Sequence, residues 1–273
     1  MKLSLLIPAR NEGVAISGTV HALSARLNSE SIPHEILAVE DHSTDSTVEV
    51  LERLTADLRE FRWIRNNDRP GFGYAVRAGL SAFTGDAVCI VMADASDDPG
   101  DVVTYYRKLE SGYECVFGSR FIAGARVVNY PWQKLILNRM ANLVIRLMFG
   151  LGYNDTTNAF KCFRREVIDG IQPIVARHFN LTVELPLKAI VRGYSFTVVP
   201  THWYGRTTGV SKLRIQEMGS RYLFTILYVL LEKLLTRGDY RRSGTVAADS
   251  ENGSPSAASS EVEPAHPVQH PQA

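Results

Sequence analysis

The sequence is poor in cysteine, has no long hydrophobic run and carries almost no net charge. Its three cysteines, Cys89, Cys115 and Cys162, are too few and too widely spaced for a disulfide framework or a zinc knuckle, which predicts a reducing compartment. The apolar run at residues 3–7 is too short for a secretory signal, and the run at 222–231 is well short of the ~20 residues that span a bilayer. With 273 residues, 45% hydrophobic and 22% charged, the chain has the composition of an ordinary globular protein.

The net charge of +1 averages over regions of different sign. Residues 243–273 contain four acidic residues and no lysine or arginine, so residues 1–242 carry a net charge of +5. Between Arg206 and Arg242 there are eight basic residues and three acidic ones. We expect the tail, which is rich in Ser, Pro and Ala without periodicity, to be disordered. The basic segment before it suits an anionic partner, for which we expect a membrane surface and not a nucleic acid.

Short apolar segments alternate with segments of helical periodicity up to residue 118. Strands are predicted near residues 3–7, 36–39, 61–64, 87–92 and 113–117, with helices between them. This order predicts right-handed βαβ units and an α/β fold, with a mostly parallel sheet and helices on both faces. Further helices are expected at 131–149 and 216–237, and extended stretches at 160–163 and 198–203. We therefore divide the chain into a domain at residues 1–215, an amphipathic helix at 216–242 and the tail at 243–273.

Acidic and amide side chains follow the predicted strands, where ligands bind in open α/β sheets. Asn11 and Glu12 follow the first strand, Asp41 follows the second, and Asp94 follows the strand at 87–92. Taken singly, Asn11, like Asp45 and Asp98, is better explained as a helix cap or first-turn residue. Asp94 lies among small residues ahead of its own helix start, which suits a divalent cation that also binds phosphate.

Several motifs occur in an order that is more specific than any one of them alone. They are IPARNE at residues 7–12, EDHSTDST at 40–47, GFGYAVRAG at 71–79, MADASDDP at 92–99, GSR at 118–120, DTTNAFK at 155–161 and RTTGVSKL at 206–213. The sequence resembles the family 2 glycosyltransferases of GT-A fold, over residues 2–215. Within them it is similar to the branch that contains dolichol-phosphate mannosyltransferase and bacterial polyprenyl-phosphate glycosyltransferases.

This resemblance implies a donor site at the first strand ends. The nucleotide-binding residues that it implies are Pro8, Arg10, Glu12, Asp41 and Asp94. The metal, Mg²⁺ or Mn²⁺, would be held by Asp94, Ser96 and Asp97. Met92 replaces the first carboxylate of the family's Asp-x-Asp motif, so the protein supplies one carboxylate fewer.

The resemblance also implies a set of catalytic residues: Asp94 on the donor side, and Arg120, Arg139, Arg206 and Lys212 on the acceptor phosphate. From periodicity, Arg139 falls within the apolar stripe of the helix at 131–149. Such an arginine either snorkels to the surface or faces a ligand or a buried acid. Asp155 is either a turn residue or orients Arg139 or Arg206, and Glu184 is either a first-turn acid or a general base.

The expected reaction is inverting transfer of a hexose from a nucleotide sugar to a polyprenyl or dolichyl phosphate. A phosphate is already an anion at neutral pH and needs fixed cations more than a general base. The helix at 216–237 either lies in the interface at the cytoplasmic face of a membrane or packs on the domain. Three alternatives stay open: a glycan or protein hydroxyl acceptor, with Asp97, Asp155 or Glu184 as base; a sugar nucleotidyltransferase; and a non-catalytic homologue.

Overall fold

The computed structural model describes residues 1–205 and 215–242, and its centre is a seven-stranded sheet. The strands of this sheet are β1 (Leu3–Ala9), β2 (His34–Glu40), β3 (Phe61–Arg65), β4 (Ala87–Ile90), β5 (Cys115–Ser119), β7 (Lys161–Arg164) and β8 (Phe196–Pro200), while β6 (Arg126–Val128) pairs separately with β9 (His202–Tyr204). The helices are α1 (Ile16–Ser29), α2 (Thr47–Asp57), α3 (Phe72–Ala82), α4 (Pro99–Glu110), α5 (Trp132–Phe149), α6 (Arg165–Gly170), α7 (Leu181–Val191) and α8 (Ile215–Leu235).

The strand order in the main sheet is β3-β2-β1-β4-β7-β5-β8. All neighbours are parallel except β7, which runs antiparallel to both β4 and β5. The carboxyl ends of β1, β2 and β4 therefore meet at one edge, as expected for parallel strands. The prediction of an α/β fold with a mostly parallel sheet is confirmed.

Each face of the sheet buries its own apolar core, because alternate strand residues point to opposite faces. Helices α1, α2 and α4 cover one face, and α3, α6 and α7 cover the other. The beginning of α4 shows a local reason for its position: the Asp98 carboxylate accepts the Gly100 N–H at 2.7 Å, and Pro99 occupies the first helical position. The interpretation of Asp98 as a helix cap is thus confirmed.

Helices α5 and α8 pack together outside this sandwich, over α7. Their shared core includes Ile145, Val183, Ile226 and Val229. A buried ion pair between Arg192 and Glu232, with oxygen–nitrogen distances of 2.7 and 3.0 Å, also fixes α8. One face of α8 therefore packs on the domain, which was one of the two predicted alternatives.

The opposite faces of α5 and α8 are exposed although they are apolar. On α5 the exposed residues are Trp132, Ile136, Leu137, Met140, Leu143, Val144 and Leu147, and on α8 they are Leu223, Phe224, Leu227, Leu231, Leu234 and Leu235. We call these residues the exposed apolar face. Exposed large apolar side chains grouped on neighbouring helices are typical of an interaction surface. Among the described residues no helix is long and apolar enough to cross a membrane.

The structure differs from the prediction between residues 119 and 205. The extended stretch predicted at 198–203 is two strands, of which β8 joins the main sheet and β9 leaves it to pair with β6. Strand β6 and most of α7 were not predicted. Three-residue strands such as β6 and β9 are too short to show a period of two, and they form because tertiary contacts bring them together.

Candidate active site

The loops that follow β1 and β2 are tied together by side chains. The Asn11 N–H donates to Ser43 Oγ at 3.1 Å, and Asn11 Oδ1 accepts the Thr44 N–H at 2.7 Å. The Glu12 N–H donates to Thr47 Oγ1 at 2.9 Å. Asn11 is thus a bridge between two loops and not a helix cap. This bridge sets Glu12 next to the end of β2, at the predicted nucleotide site.

Asp41 lies buried at the end of β2 and holds the turn at Gly71. Its carboxylate accepts the Gly71 N–H at 2.9 Å and the Asn66 amide at 2.7 Å. The turn is tight because a Cβ on Gly71 would lie 2.9 Å from the Arg177 carbonyl oxygen. The absence of a side chain on Gly71 therefore lets this turn approach the backbone of Arg177 closely. Of the other predicted nucleotide residues, Pro8 is buried within β1 and Arg10 is exposed.

The turn after β4 contains the predicted metal ligands. Asp94 Oδ1 accepts the Ser96 hydroxyl at 2.6 Å, and Asp97 Oδ2 accepts the Met92 N–H at 2.9 Å. Burial raises the pKa of Asp97 to about 7, with a further increase from Asp94, while the Met92 N–H opposes it. The described residues contain no group of three or more His, Cys, Asp or Glu side chains arranged for a metal. Of the three predicted ligands, Asp94 is partly exposed, while Ser96 and Asp97 are buried.

Strand β9 covers this turn, a contact that the sequence did not reveal. The Tyr204 N–H donates to the Ser96 carbonyl oxygen at 3.0 Å, and Trp203 forms an isolated β-bridge with Asp97. The ring of Trp203 lies 5.0 Å from that of Tyr130. These contacts connect the turn after β4 to the segment before α5.

Asp101 fixes the other side of β9. Its carboxylate accepts the Thr201 hydroxyl at 2.8 Å and the His202 N–H at 2.6 Å, and it lies 3.0 Å from His202 Nδ1. These bonds occupy both carboxylate oxygens. Asp101 is therefore an anchor for β9, although it follows the turn with the predicted metal ligands in sequence.

Arg120 and Asp155 form a buried, bidentate ion pair. Arg120 donates from Nε and Nη2 to the two carboxylate oxygens, both at 2.8 Å, and its backbone N–H donates at 3.0 Å. The pKa of Arg120 is raised above its ordinary value because Asp155 outweighs the opposing effect of burial. The prediction that Asp155 orients Arg139 is wrong, because the Asp155 carboxylate pairs with Arg120. The other predicted partner was Arg206. Arg206 lies outside the described residues.

Two arginines approach the same aromatic ring. The guanidinium carbon of Arg139 is 4.7 Å from the centroid of Phe121, and that of Arg120 is 5.4 Å from it. Arg139 is exposed, so of the predicted alternatives a buried acid is excluded. The structure therefore brings Arg120 and Arg139 together from segments 19 positions apart. Lys212, like Arg206, lies outside the described residues.

A cleft of about 220 Å³ opens beside Arg139. Its lining residues are Arg139, Met140, Asn142, Leu143, Arg146 and Asn154. Two cations and two amides thus lie beside Met140 and Leu143, which belong to the exposed apolar face. Sequence reasoning missed Arg146, although it lies seven residues after Arg139 and hence on the same side of the helix.

Two buried lysines lie close to acids. Lys161 donates to the carbonyl oxygens of Thr156 and Asn158, and burial lowers its pKa to about 7 while Asp155 opposes this. Glu184 lies 2.9 Å from Lys188 and accepts the N–H groups of residues 175 and 176. Glu184 is wholly buried in the first turn of α7, so the alternative of a general base there is not supported.

The family model for glycosyl transferase family 2 matches residues 4–171. The chain belongs to this family. The match spans β1 to α6 and includes the loops that hold Glu12, Asp41 and Asp94, so the protein is a glycosyltransferase. The family resemblance stated from the motifs is confirmed, and the nucleotidyltransferase alternative is excluded.

Named relatives support the same assignment. The polyprenol monophosphomannose synthase of Mycolicibacterium smegmatis is 30% identical over 218 residues, which cover 77% of this chain and 80% of that protein. Glycosyltransferase AglD of Haloferax volcanii is 28% identical over 243 residues, which cover 87% of this chain and 39% of AglD.

A solved structure shows the same fold. Glucosyl-3-phosphoglycerate synthase from Mycobacterium tuberculosis, in complex with UDP, superimposes with a TM-score of 0.63 at 18% identity, covering 85% of this chain and 79% of that one. The GT-A prediction is therefore confirmed. Other structures of that enzyme hold Mg²⁺ with UDP, or Mn²⁺ with UDP-glucose and phosphoglyceric acid.

Proposed function

We propose that this glycosyltransferase moves a hexose, with inversion, from a nucleotide sugar to the phosphate of a polyprenyl or dolichyl lipid. One observation carries the proposal: Arg120 and Arg139 flank Phe121 beside a cleft that also contains Arg146 and opens onto the exposed apolar face. Fixed cations beside an apolar surface suit a ligand with a phosphate head and a hydrocarbon chain. The name of the mycobacterial relative, polyprenol monophosphomannose synthase, agrees with this substrate class.

The acceptor side needs cations because two anions meet there. A phosphate monoester has its second pKa at about 6 and attacks without giving a proton to a base, but it is repelled by the donor diphosphate. Asp155 occupies the Nε–Nη2 edge of Arg120 and holds the side chain in place, so the Nη1–Nη2 edge is the one that would donate to phosphate oxygens. Arg139 and Arg146 would bind the same phosphate from α5. From the sequence motif we add Arg206 and Lys212 to this set.

The donor side would use a divalent cation held mainly by Asp94. Magnesium is commonly bound by one or two carboxylates together with substrate phosphates and water, so a single carboxylate fits this use. We assign the direct contact to Asp94 and Ser96, and to Asp97 the fixing of the turn through the Met92 N–H. The ion, Mg²⁺ or Mn²⁺, would neutralise charge on the departing nucleotide diphosphate. Glu12, Arg10 and Asp41 would surround the nucleoside.

The exposed apolar face would lie on the cytoplasmic surface of a membrane and bring the acceptor lipid to the cleft. The apolar side chains of this face, among them Trp132 on α5 and Phe224 on α8, would enter the headgroup boundary of the bilayer. The exposed Arg237 and Arg241, beyond the end of α8, would contact anionic lipids. The packed side of α8 keeps both helices in a fixed orientation on the domain. This arrangement combines the two roles that the sequence left open for α8.

The test is transfer of radiolabelled sugar from a panel of GDP- and UDP-sugars into a product that partitions into organic solvent, with polyprenyl phosphate in detergent as acceptor. We expect label in the organic phase with one donor, and loss of transfer in Arg139→Ala but not in Arg53→Ala, a change on α2. Label found only in water-soluble glycan or protein would overturn the lipid acceptor. It would instead support the family 2 alternative that acts on a hydroxyl.

A further inference from the structure

A second cleft, of about 360 Å³, lies between α8 and the segment before α7. The lining residues that matter here are Arg177, His178, Asn180, Ser220, Arg221 and Phe224. They share no member with the cleft beside Arg139, and the donor and acceptor roles proposed above use none of them. We call this site the Arg177–Arg221 cleft.

The walls of this cleft are held by polar and aromatic contacts. The Asn180 side chain is buried, donates to Thr225 Oγ1 on α8 at 2.8 Å and accepts the His178 N–H at 3.3 Å. The Tyr222 hydroxyl donates to the Phe179 carbonyl oxygen at 3.1 Å. The spacing between the two walls is therefore fixed before any ligand binds, which lowers the entropic cost of binding.

The described lining of the cleft is positively charged. Its two arginines come from different elements, and no acidic residue is among the lining residues. Within residues 1–205 and 219–242, whose side chains are described, neither arginine has a carboxylate partner in an ion pair. Arg177 packs over the Tyr74 ring at 5.8 Å, which restrains its side chain. Two guanidinium groups and the Ser220 hydroxyl are a donor set that suits a phosphate group.

An apolar surface begins at the rim of the cleft. Phe224 lines it and is 62% exposed, and Leu223 and Leu227 on the same helix are 56% and 43% exposed. A soluble phosphate would use the cations alone. A lipid would use both features, with the phosphate at the arginines and the acyl chains along α8.

We propose that the Arg177–Arg221 cleft binds the headgroup phosphate of an anionic phospholipid and thereby docks α8 on the membrane. The inference rests on the membrane association in the proposed function, and it adds a specific ligand site distinct from the acceptor cleft. Such a site would set the depth and rotation of α8 at the surface. It would hold the acceptor cleft at a constant position relative to the lipid phase.

A soluble lipid separates binding in the cleft from attraction to a charged surface. The probe is dihexanoyl phosphatidylglycerol below its micellar concentration, titrated calorimetrically into the full chain. We expect binding of this lipid and not of dihexanoyl phosphatidylcholine, which has the same acyl chains. Arg177→Ala and Arg221→Ala should each weaken it by about 10-fold or more, the usual effect of losing a charge-assisted hydrogen bond. Arg53→Ala, which removes an exposed charge on α2, is the matched control.

Each of the following results would overturn the proposal. Equal binding of inorganic phosphate would assign the cleft to a soluble phosphate, and displacement of the lipid by GDP or UDP would assign it to the donor. Equal loss in Arg53→Ala would reduce the effect to general charge. Sugar transfer to detergent-solubilised polyprenyl phosphate is measured in parallel. If Arg177→Ala still transfers sugar, and neither Arg177→Ala nor Arg221→Ala weakens lipid binding, this inference is wrong and the proposed function stands.

Discussion

Removing the charge of Asp155 should destabilise the protein and impair acceptor binding together. Asp155 is wholly buried and makes three hydrogen bonds to Arg120, two of them at 2.8 Å from the guanidinium group. In Asp155→Asn the amide retains one acceptor oxygen, but its NH₂ group faces a guanidinium N–H. Arg120, whose side chain is 8% exposed, then becomes a buried cation without a counter-charge.

The magnitude follows from the burial of the pair. Breaking a buried ion pair by removing one partner typically costs about 3–5 kcal/mol. Since Asn keeps one hydrogen bond, we expect the lower end of that range, about 3 kcal/mol. For a chain of this size, 1 kcal/mol shifts the melting temperature by about 2–4 °C, so the expected decrease is about 10 °C. Replacing both residues by apolar ones, Arg120→Met with Asp155→Leu, should cost less than the sum of the single changes.

Urea unfolding and thermal melting measure the stability loss, and the control is Glu110→Gln. Glu110 pairs with Arg107 at 2.8 Å on the exposed surface of α4, where solvent screening leaves little stabilisation to lose. In the transfer assay, Asp155→Asn should raise the KM for polyprenyl phosphate and leave nucleotide affinity unchanged. A melting temperature within the error of the control would refute the assignment of a buried, energetically coupled pair.

The loss should also depend on pH through Lys161. The pKa of Lys161 is lowered from 10.5 to about 7 in the folded protein, so stability falls as the pH decreases from 10.5 towards 7. Asp155 favours the charged lysine, and this interaction exists only where Lys161 is protonated. Asp155→Asn should therefore be more destabilising below pH 7 than above it. An equal loss on both sides would contradict the coupling of these two groups.

Three further outcomes are expected. Arg139→Ala should weaken acceptor binding by about 10-fold or more while nucleotide affinity, measured calorimetrically, survives; equal loss of both would contradict its role. Asp94→Asn should abolish the Mn²⁺-dependent part of nucleotide diphosphate binding, and unchanged metal dependence would place the ion elsewhere. The pKa of Glu35 is lowered from 4.5 to about 2 because hydrogen bonds from Ser4, Thr84 and Arg62 outweigh burial. The stabilisation from this carboxylate is complete above pH 4.5 and is lost as the pH falls through about 2. Glu35→Gln should therefore lower the free energy of unfolding, measured in urea, by about 2 kcal/mol near neutral pH. The decrease should become progressively smaller in acid. A loss of stability in Glu35→Gln that does not change with pH would show that the carboxylate charge is not involved.

The parallel half of the fold was predictable because its signals are local. Apolar runs such as residues 87–92, each followed by a helical period, leave few arrangements other than βαβ units. The positions of Glu12, Asp41 and Asp94 at one edge of the sheet then follow from the parallel order of β1, β2 and β4. The arrangement of residues 119–205 was not predictable in this way, since β7 turns antiparallel and β6 and β9 pair across more than seventy residues.

By itself, the sequence determined the fold class, the family and the edge of the sheet at which Glu12, Asp41 and Asp94 meet, because these depend on periodicity and on motifs in chain order. Only the tertiary structure decided that Asp155 pairs with Arg120, that Arg139 reaches the same ring and that Arg146 lines its cleft. It also decided that the apolar residues of α5 and α8 divide between a packed side and an exposed one. These are contacts between distant segments, and their energies depend on burial and distance, which a linear pattern does not contain.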